Sequence, residues 1–260
     1  MKARAWTAIV IVLTVGAVLG TAWTCPIQPA SAEAASPKGH PPPATTLEDD
    51  GPTLGEIVER YVEAVGGKDV IARIETRIIQ ARVVTDLPTW DPPVLEVDTL
   101  TIYSAASGTY LIVHRTPGGT ILEGCDGTTT WKRDVDGKMS GSEVVGGRDA
   151  WLTDPLLPLR LREHFPDMTY LGTATPAGRS VHVVDIDGDH AHRLYFDAET
   201  GLLVRLGYNR TILRYGEVDG VKVPFEVEYS RKGGSSTFVI DSVIHNEPID
   251  ERLFSAPVSY

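Results

Sequence analysis

The chain has 260 residues, with 24 Lys and Arg against 35 Asp and Glu and a formal charge of −11. That excess of acid argues against nucleic acid or any other polyanion as a partner, because no basic stripe is available to neutralise phosphates. The only cysteines are Cys25 and Cys125, so no disulfide framework is written into the chain and stability has to come from a packed core.

At the N-terminus, Lys2 and Arg4 precede an apolar run from Ala5 to Ala22, and Ala30-Ser31-Ala32 places small residues where a signal peptidase reads. Residues 1–32 are therefore expected to be an export signal cleaved after Ala32, which puts the mature protein in the periplasm or elsewhere in a bacterial cell envelope. The run is also long enough to serve as an uncleaved anchor. Cys25 follows Trp23-Thr24 and precedes Pro26, which lacks the small neighbour that lipidation requires. Cleavage leaves 228 residues, enough for one large domain; with Lys2 and Arg4 gone, 22 basic residues face 35 acidic ones, a charge of −13. Cys125 is then the sole thiol. Gly124 and Asp126 beside it read as turn chemistry, and no basic neighbour stabilises a thiolate, so its role is expected to be structural.

Residues 33–52 combine Pro37 and Pro41-Pro42-Pro43 with small and charged residues and read as a tether. The folded domain, 53–260, opens at Thr53, whose hydroxyl can cap a helix while Glu56 completes a capping box. Leu54, Ile57, Val58, Tyr61, Val62 and Val65 recur at helical spacing, Gly66-Gly67 ends the helix, and Lys68 to Ile74 can form a further short turn. From about Arg77 the period changes to two. Strands are expected near 77–85, 94–104, 109–115, 119–124, 128–133, 168–173, 180–187, 192–197, 202–208, 211–216, 221–230 and 236–246. Asp-Gly pairs at 126–127, 136–137, 187–188 and 219–220 supply the positive backbone angles of tight hairpins, so the sheet should be an antiparallel meander. One segment interrupts it: Asp154-Pro155 has the form of an N-cap and first helical residue, and Leu156, Leu157, Leu159, Leu161 and Phe165 follow before Pro166. The fold class expected is mainly β (α+β), a curved antiparallel sheet forming an incomplete β-barrel covered by helices, because a sheet this long must curl and helices on its concave face would cover apolar surface.

Five stretches carry a family resemblance: Tyr61 to Lys68 with the turn at Ile71 to Thr76, Gly124 to Gly127 leading to Trp131, Leu194 to Leu202, Tyr215 to Pro224, and Asn246 to Phe254. In this order and spacing the chain resembles the exported outer-membrane lipoprotein-sorting proteins, the LolA/LolB-like group, over most of residues 53–257. The resemblance implies an incomplete antiparallel barrel, closed on one side by helices around a hydrophobic cavity that takes acyl chains of lipids or lipoproteins. Carriers of the group gate their ligand with an arginine. Arg82, Arg115 and Arg193 all lie on expected strands, and nothing in the sequence selects one of them.

The remaining chemistry is sparse. His190 and His192 lie two apart beside Asp187-Gly188-Asp189, but no third metal ligand is close, and Asp185, Asp187 and Asp189 do not match a calcium loop because the glycine is misplaced and the twelfth position from Asp185 is Phe196. There is no Gly-x-Ser-x-Gly elbow, phosphate loop or haem motif, so neither a catalytic set nor a cofactor is expected. Trp90, in a proline-stiffened connection, either folds back on the sheet or presents its ring to a membrane or cavity mouth. Tyr103, Trp131, Trp151, Leu157, Leu161, Phe196 and Phe225 are the candidate ligand-lining residues, although any core would use the same types. The function expected is non-catalytic binding or carriage of a lipid, lipoprotein acyl chain or similar apolar ligand, with transient membrane contact during transfer. The alternatives are an envelope protein–protein interaction module and an envelope hydrolase.

Overall fold

The computed structural model describes residues 51–91, 93–143, 150–186 and 192–257. The expected export signal and most of the tether lie outside the described residues, as do His190 and the Asp187 to Asp189 turn.

Helix α1 (Leu54–Val65) begins as the capping box requires. Thr53 Oγ1 accepts from Glu56 N at 3.2 Å, and Glu56 Oε2 accepts from Thr53 N at 2.7 Å. Its apolar stripe buries Ile57, Tyr61 and Val65. Gly66, at φ 139°, stops it; a Cβ there would stand 2.4 Å from the Gly220 carbonyl oxygen, so the position needs both the backbone angle and the missing side chain. Helix α2 (Lys68–Ile71) follows directly.

The rest is one antiparallel sheet. Strands β1 (Thr76–Leu87), β2 (Val94–Ala105), β3 (Tyr110–Thr116), β4 (Gly119–Cys125), β5 (Thr129–Arg133) and β6 (Met139–Glu143) form a first meander. Helices α3 (Ala150–Thr153) and α4 (Leu157–His164) cross to a second, made of β7 (Thr169–Ala174), β8 (Val181–Asp185), β9 (Arg193–Asp197), β10 (Leu203–Leu206), β11 (Arg210–Val218), β12 (Val221–Arg231) and β13 (Gly234–His245). The thirteen strands lie in the order β6-β5-β4-β3-β2-β1-β13-β12-β11-β10-β9-β8-β7. Sequence neighbours are therefore sheet neighbours everywhere except at β6 and β7. Those two are the free edges of the open sheet, and α3 and α4 are inserted between them in the chain.

Two elements differ from the sequence reading. Strand β6 was not expected, because Met139-Ser140-Gly141 has no apolar alternation; Gly141 instead fits against β5, where a Cβ would lie 2.9 Å from the Thr130 carbonyl oxygen. A short helix not expected, α3, also precedes the leucine-rich segment, and the helix of that segment starts late: Asp154 and Pro155 fall between the two, and α4 starts at Leu157 with Pro158 in its first turn. Asp154 still serves the helix start through its side chain, since Oδ1 accepts from Leu156 N at 2.8 Å and Oδ2 bonds His164 Nε2 at 2.8 Å.

Burial divides the sheet's two faces. On the helix-covered face Ile79, Ala81, Val83, Leu100, Ile102, Ile112, Val184, Leu194, Phe196, Val227, Phe238 and Ile240 join Tyr61, Trp151, Leu152, Leu157 and Leu161 in one contiguous cluster. A flat sheet would hold β3 and β8 roughly 40 Å apart, so strands this distant can share four short helices only if the sheet curls around them. The opposite face carries a second, smaller cluster of Leu111, Trp131 and Phe254, with Tyr103, Val113, Leu122 and Met139 packed on it. A 3-10 turn at Glu251–Phe254 covers that cluster.

Candidate functional site

The helix-covered face is where the chain assembles its largest apolar surface, and five of the seven candidate lining residues meet there. Trp151, Leu157, Leu161 and Phe196 are buried in the main cluster, and Phe225 is half-buried against it. Tyr61 of α1 meets Phe196 of β9 edge to face at 5.3 Å between centroids, and Trp151 of α3 meets Phe238 of β13 at the same separation. The Phe225 ring lies over Gly216, with the Arg214 guanidinium 5.4 Å from its centroid. Tyr103 and Trp131 are not brought to this site. Both belong to the cluster on the opposite face, where the Trp131 ring lies flat over Gly124 and its indole N–H donates to the Phe254 carbonyl at 2.8 Å.

Among the strand arginines, Arg82 makes a bidentate pair with Asp241 on the solvent side and Arg115 is exposed. Arg193 stands opposite Asp185 in the β8–β9 ladder. The arginine that enters the interior is Arg77, at the start of β1 and only 6 % exposed. Its Nη2 donates to the main-chain carbonyls of Leu152 at 2.8 Å and Trp151 at 3.4 Å, tying β1 to α3. Burial pulls its pKa down to about 10, against the charge of Asp154 and the Tyr61 ring, so it enters the core charged at neutral pH. A signal for it existed. Ile79, Ala81 and Val83 set the phase of the buried face, and stepping back two residues places Arg77 on it.

Around Arg77 the polar groups are paired in part: Arg77 Nε and His245 Nε2 are buried with no hydrogen-bonding partner among the described residues. Burial pushes the Asp154 carboxyl up, but hydrogen bonds from His164 and Leu156 N–H and the Arg160 charge outweigh it and hold the group below its usual range. His245, opposite Arg77 in the β1–β13 ladder, bonds Asp219 Oδ2 through Nδ1 at 3.2 Å. Burial first, and then the Arg77 charge, lowers its pKa despite that partner.

A second polar set lies on the same face toward the other end of the strands. His114 Nε2 is 2.9 Å from Asp98 Oδ2 with both side chains 7 % exposed, and since a carboxylate only accepts, the imidazole donates. Thr85 and Ser236, both buried, share a hydrogen bond at 3.0 Å. Among the described residues no hydroxyl or thiol bonds the ring of His114 or His164, so neither His–Asp pair has a nucleophile beside it. Cys125 is buried; burial raises its thiol pKa, and its sulfur accepts from Gly127 N at 3.4 Å, which fits a structural role. Trp90 folds back in part, donating to the Lys232 carbonyl at 3.0 Å while 42 % exposed. A groove of about 740 Å³ beside α1 is lined by Gly51, Pro52, Glu56, Glu59, Arg60, Glu63, Ala64 and Thr200.

No family model matches the chain, and no curated protein matches it. Among solved structures it is similar to a DUF1329 family protein from Desulfovibrio piger, with a TM-score of 0.52 at 12 % identity over 78 % of this chain and 97 % of that one. It is also similar to a LolA superfamily protein from Nitrosomonas europaea, with a TM-score of 0.53 at 10 % identity over 79 % of this chain and 99 % of that one. The architecture is thus that of an open antiparallel sheet curled around covering helices. It is a LolA-like fold, as the sequence motifs implied.

Proposed function

We propose that the protein is an exported, non-catalytic component of the cell envelope that takes a lipid, a lipoprotein acyl chain or a similar apolar ligand between its sheet and its helices, touching a membrane only transiently. The observation that carries this reading is how the interior is closed. Among the described residues, the larger apolar face of the sheet is covered by four helices and not by a second sheet. The cover is tied to β1 by a charged arginine sunk into the core. Burying a guanidinium carries a desolvation cost that two carbonyl bonds offset only in part. A clamp of discrete hydrogen bonds is one that can let go. When the clamp lets go, α3 and α4 can part from the sheet and admit an acyl chain against Phe196 and Phe225, with a gross gain of about 0.8 kcal/mol per buried methylene before ordering costs. The sequence of the first 32 residues supports export, and the LolA-like fold supports a lipophilic cargo.

The test is organic extraction of the protein purified from the envelope of cells that make it, followed by mass spectrometry. A lipid released in near-stoichiometric amount is expected. An extract no richer in lipid than that of an unrelated envelope protein would refute the proposal.

A further inference from the structure

We infer that the interior recognises a hydroxyl at the polar end of its ligand, held between Asp98 on β2 and Trp151 on α3. The inference deepens the lipophilic-ligand reading and rests on it. Its starting point is a pair of unmet polar atoms, an acceptor and a donor, on the helix-covered face; Arg77 Nε and His245 Nε2, at the far end of the same strands, are also without a partner among the described residues. Asp98 Oδ2 is served by His114, but Oδ1 is buried with no hydrogen-bonding partner among the described residues. The indole Nε1 of Trp151 is also buried and also without a partner among them. A buried carboxylate oxygen left unmet is costly, and an apolar residue would occupy this strand position at no such cost, so both atoms need an account.

The two atoms belong to the same region of the same face. Asp98 stands opposite Val83 of β1, and Val83 stands opposite Phe238 of β13. Trp151 packs its ring edge to face on Phe238 at 5.3 Å, while α3 as a whole rests on β2. One is an acceptor and the other a donor. A hydroxyl both donates and accepts, so it can give its proton to Asp98 Oδ1 and receive the Trp151 N–H. An ammonium would leave the indole unmet, an ester carbonyl would leave the carboxylate unmet, and a fatty-acid carboxylate would set two negative charges together in an apolar surround.

The experiment is displacement of the lipophilic probe N-phenylnaphthylamine from the full chain by oleyl alcohol, methyl oleate and oleate, which share one chain length and differ at the head. Oleyl alcohol is expected to displace the probe at a concentration about tenfold or more below methyl oleate, the scale of one hydrogen bond to a charged acceptor. Asp98→Asn keeps the shape and can keep the His114 bond, but it turns an amide N–H₂ toward the ligand; the order should then invert in favour of the ester. Trp151→Phe keeps an aromatic ring against Phe238 but removes the N–H donor, and should narrow the preference for the alcohol by severalfold. Equal displacement by alcohol and ester in the wild type overturns the inference while leaving the lipophilic interior intact, and this comparison needs no variant to fold. An unchanged order in a folded Asp98→Asn overturns it as well. Failure of the probe and of all three competitors to bind overturns the lipophilic reading and this inference with it.

Discussion

The two apolar clusters lie back to back on one sheet but are closed in different ways. On the outer face, Trp131 is fixed by its fit over Gly124 and by its bond to the Phe254 carbonyl, so the C-terminal turn is fastened by an aromatic ring against backbone. On the inner face the cover is helical, amphipathic and short, and its link to β1 is a charged side chain reaching two helix carbonyls. The outer closure has nothing in it that a ligand would replace. The inner one pairs a large apolar area with polar contacts that can be exchanged, which is the combination that a reversible binding site needs.

Changes at the inner cover should have the greatest effect. Leu157→Asp with Leu161→Asp puts two unpaired charges into the main cluster, where both leucines are buried, and is expected to unfold the domain or abolish probe binding, read by circular dichroism and fluorescence. Trp131→Ala is expected to cost about 3–5 kcal/mol in denaturant unfolding, yet protein that remains folded should bind an apolar probe as the wild type does, because that ring is on the other face. Arg77→Met leaves the Trp151 and Leu152 carbonyls without their donor, a loss of about 1–3 kcal/mol, and should speed amide exchange in α3 and probe uptake while the 249–257 segment exchanges as before. The smallest effect concerns pH. His245 has a lowered folded pKa, so the unfolded chain takes up its proton first; its contribution to stability is complete above the ordinary histidine value and declines as pH falls below it toward the folded value. A melting-temperature series between pH 7.5 and 5 should fall less steeply in His245→Gln than in the wild type.

Much of this architecture was legible in the chain. The capping box at Thr53, the strand period and the placement of a helical segment between two strand series were all readable because each rests on local chemistry or on a repeat of two or 3.6 residues. The short helix at 150–153 and the late start of α4 were hidden, since Asp154-Pro155 is equally suited to an N-cap or to the turn between helices; in the structure it is the turn, with His164 and Arg160 gathered on the Asp154 carboxylate. The site was only half legible. Trp131 is the one large apolar residue in its strand and so looked inward, but in a sheet with cover on both faces an apolar residue does not reveal which face it takes. Tyr103 follows Ile102 directly and must therefore point the other way. Arg77, Asp98 and His114 could have been found by parity: each shares the phase of buried neighbours, and a charged group on a buried face is the signal that composition and motif searches pass over.

The most direct test of the account is photo-crosslinking of the full chain with a diazirine-bearing fatty alcohol, with the labelled peptides mapped by mass spectrometry. Labels are expected on α3 and α4 and on the inward residues of β2, β9 and β12, among them Leu100, Phe196 and Phe225. Labels confined to the outer face, around Tyr103 and Trp131 or the exposed Leu95 and Val97, would contradict it.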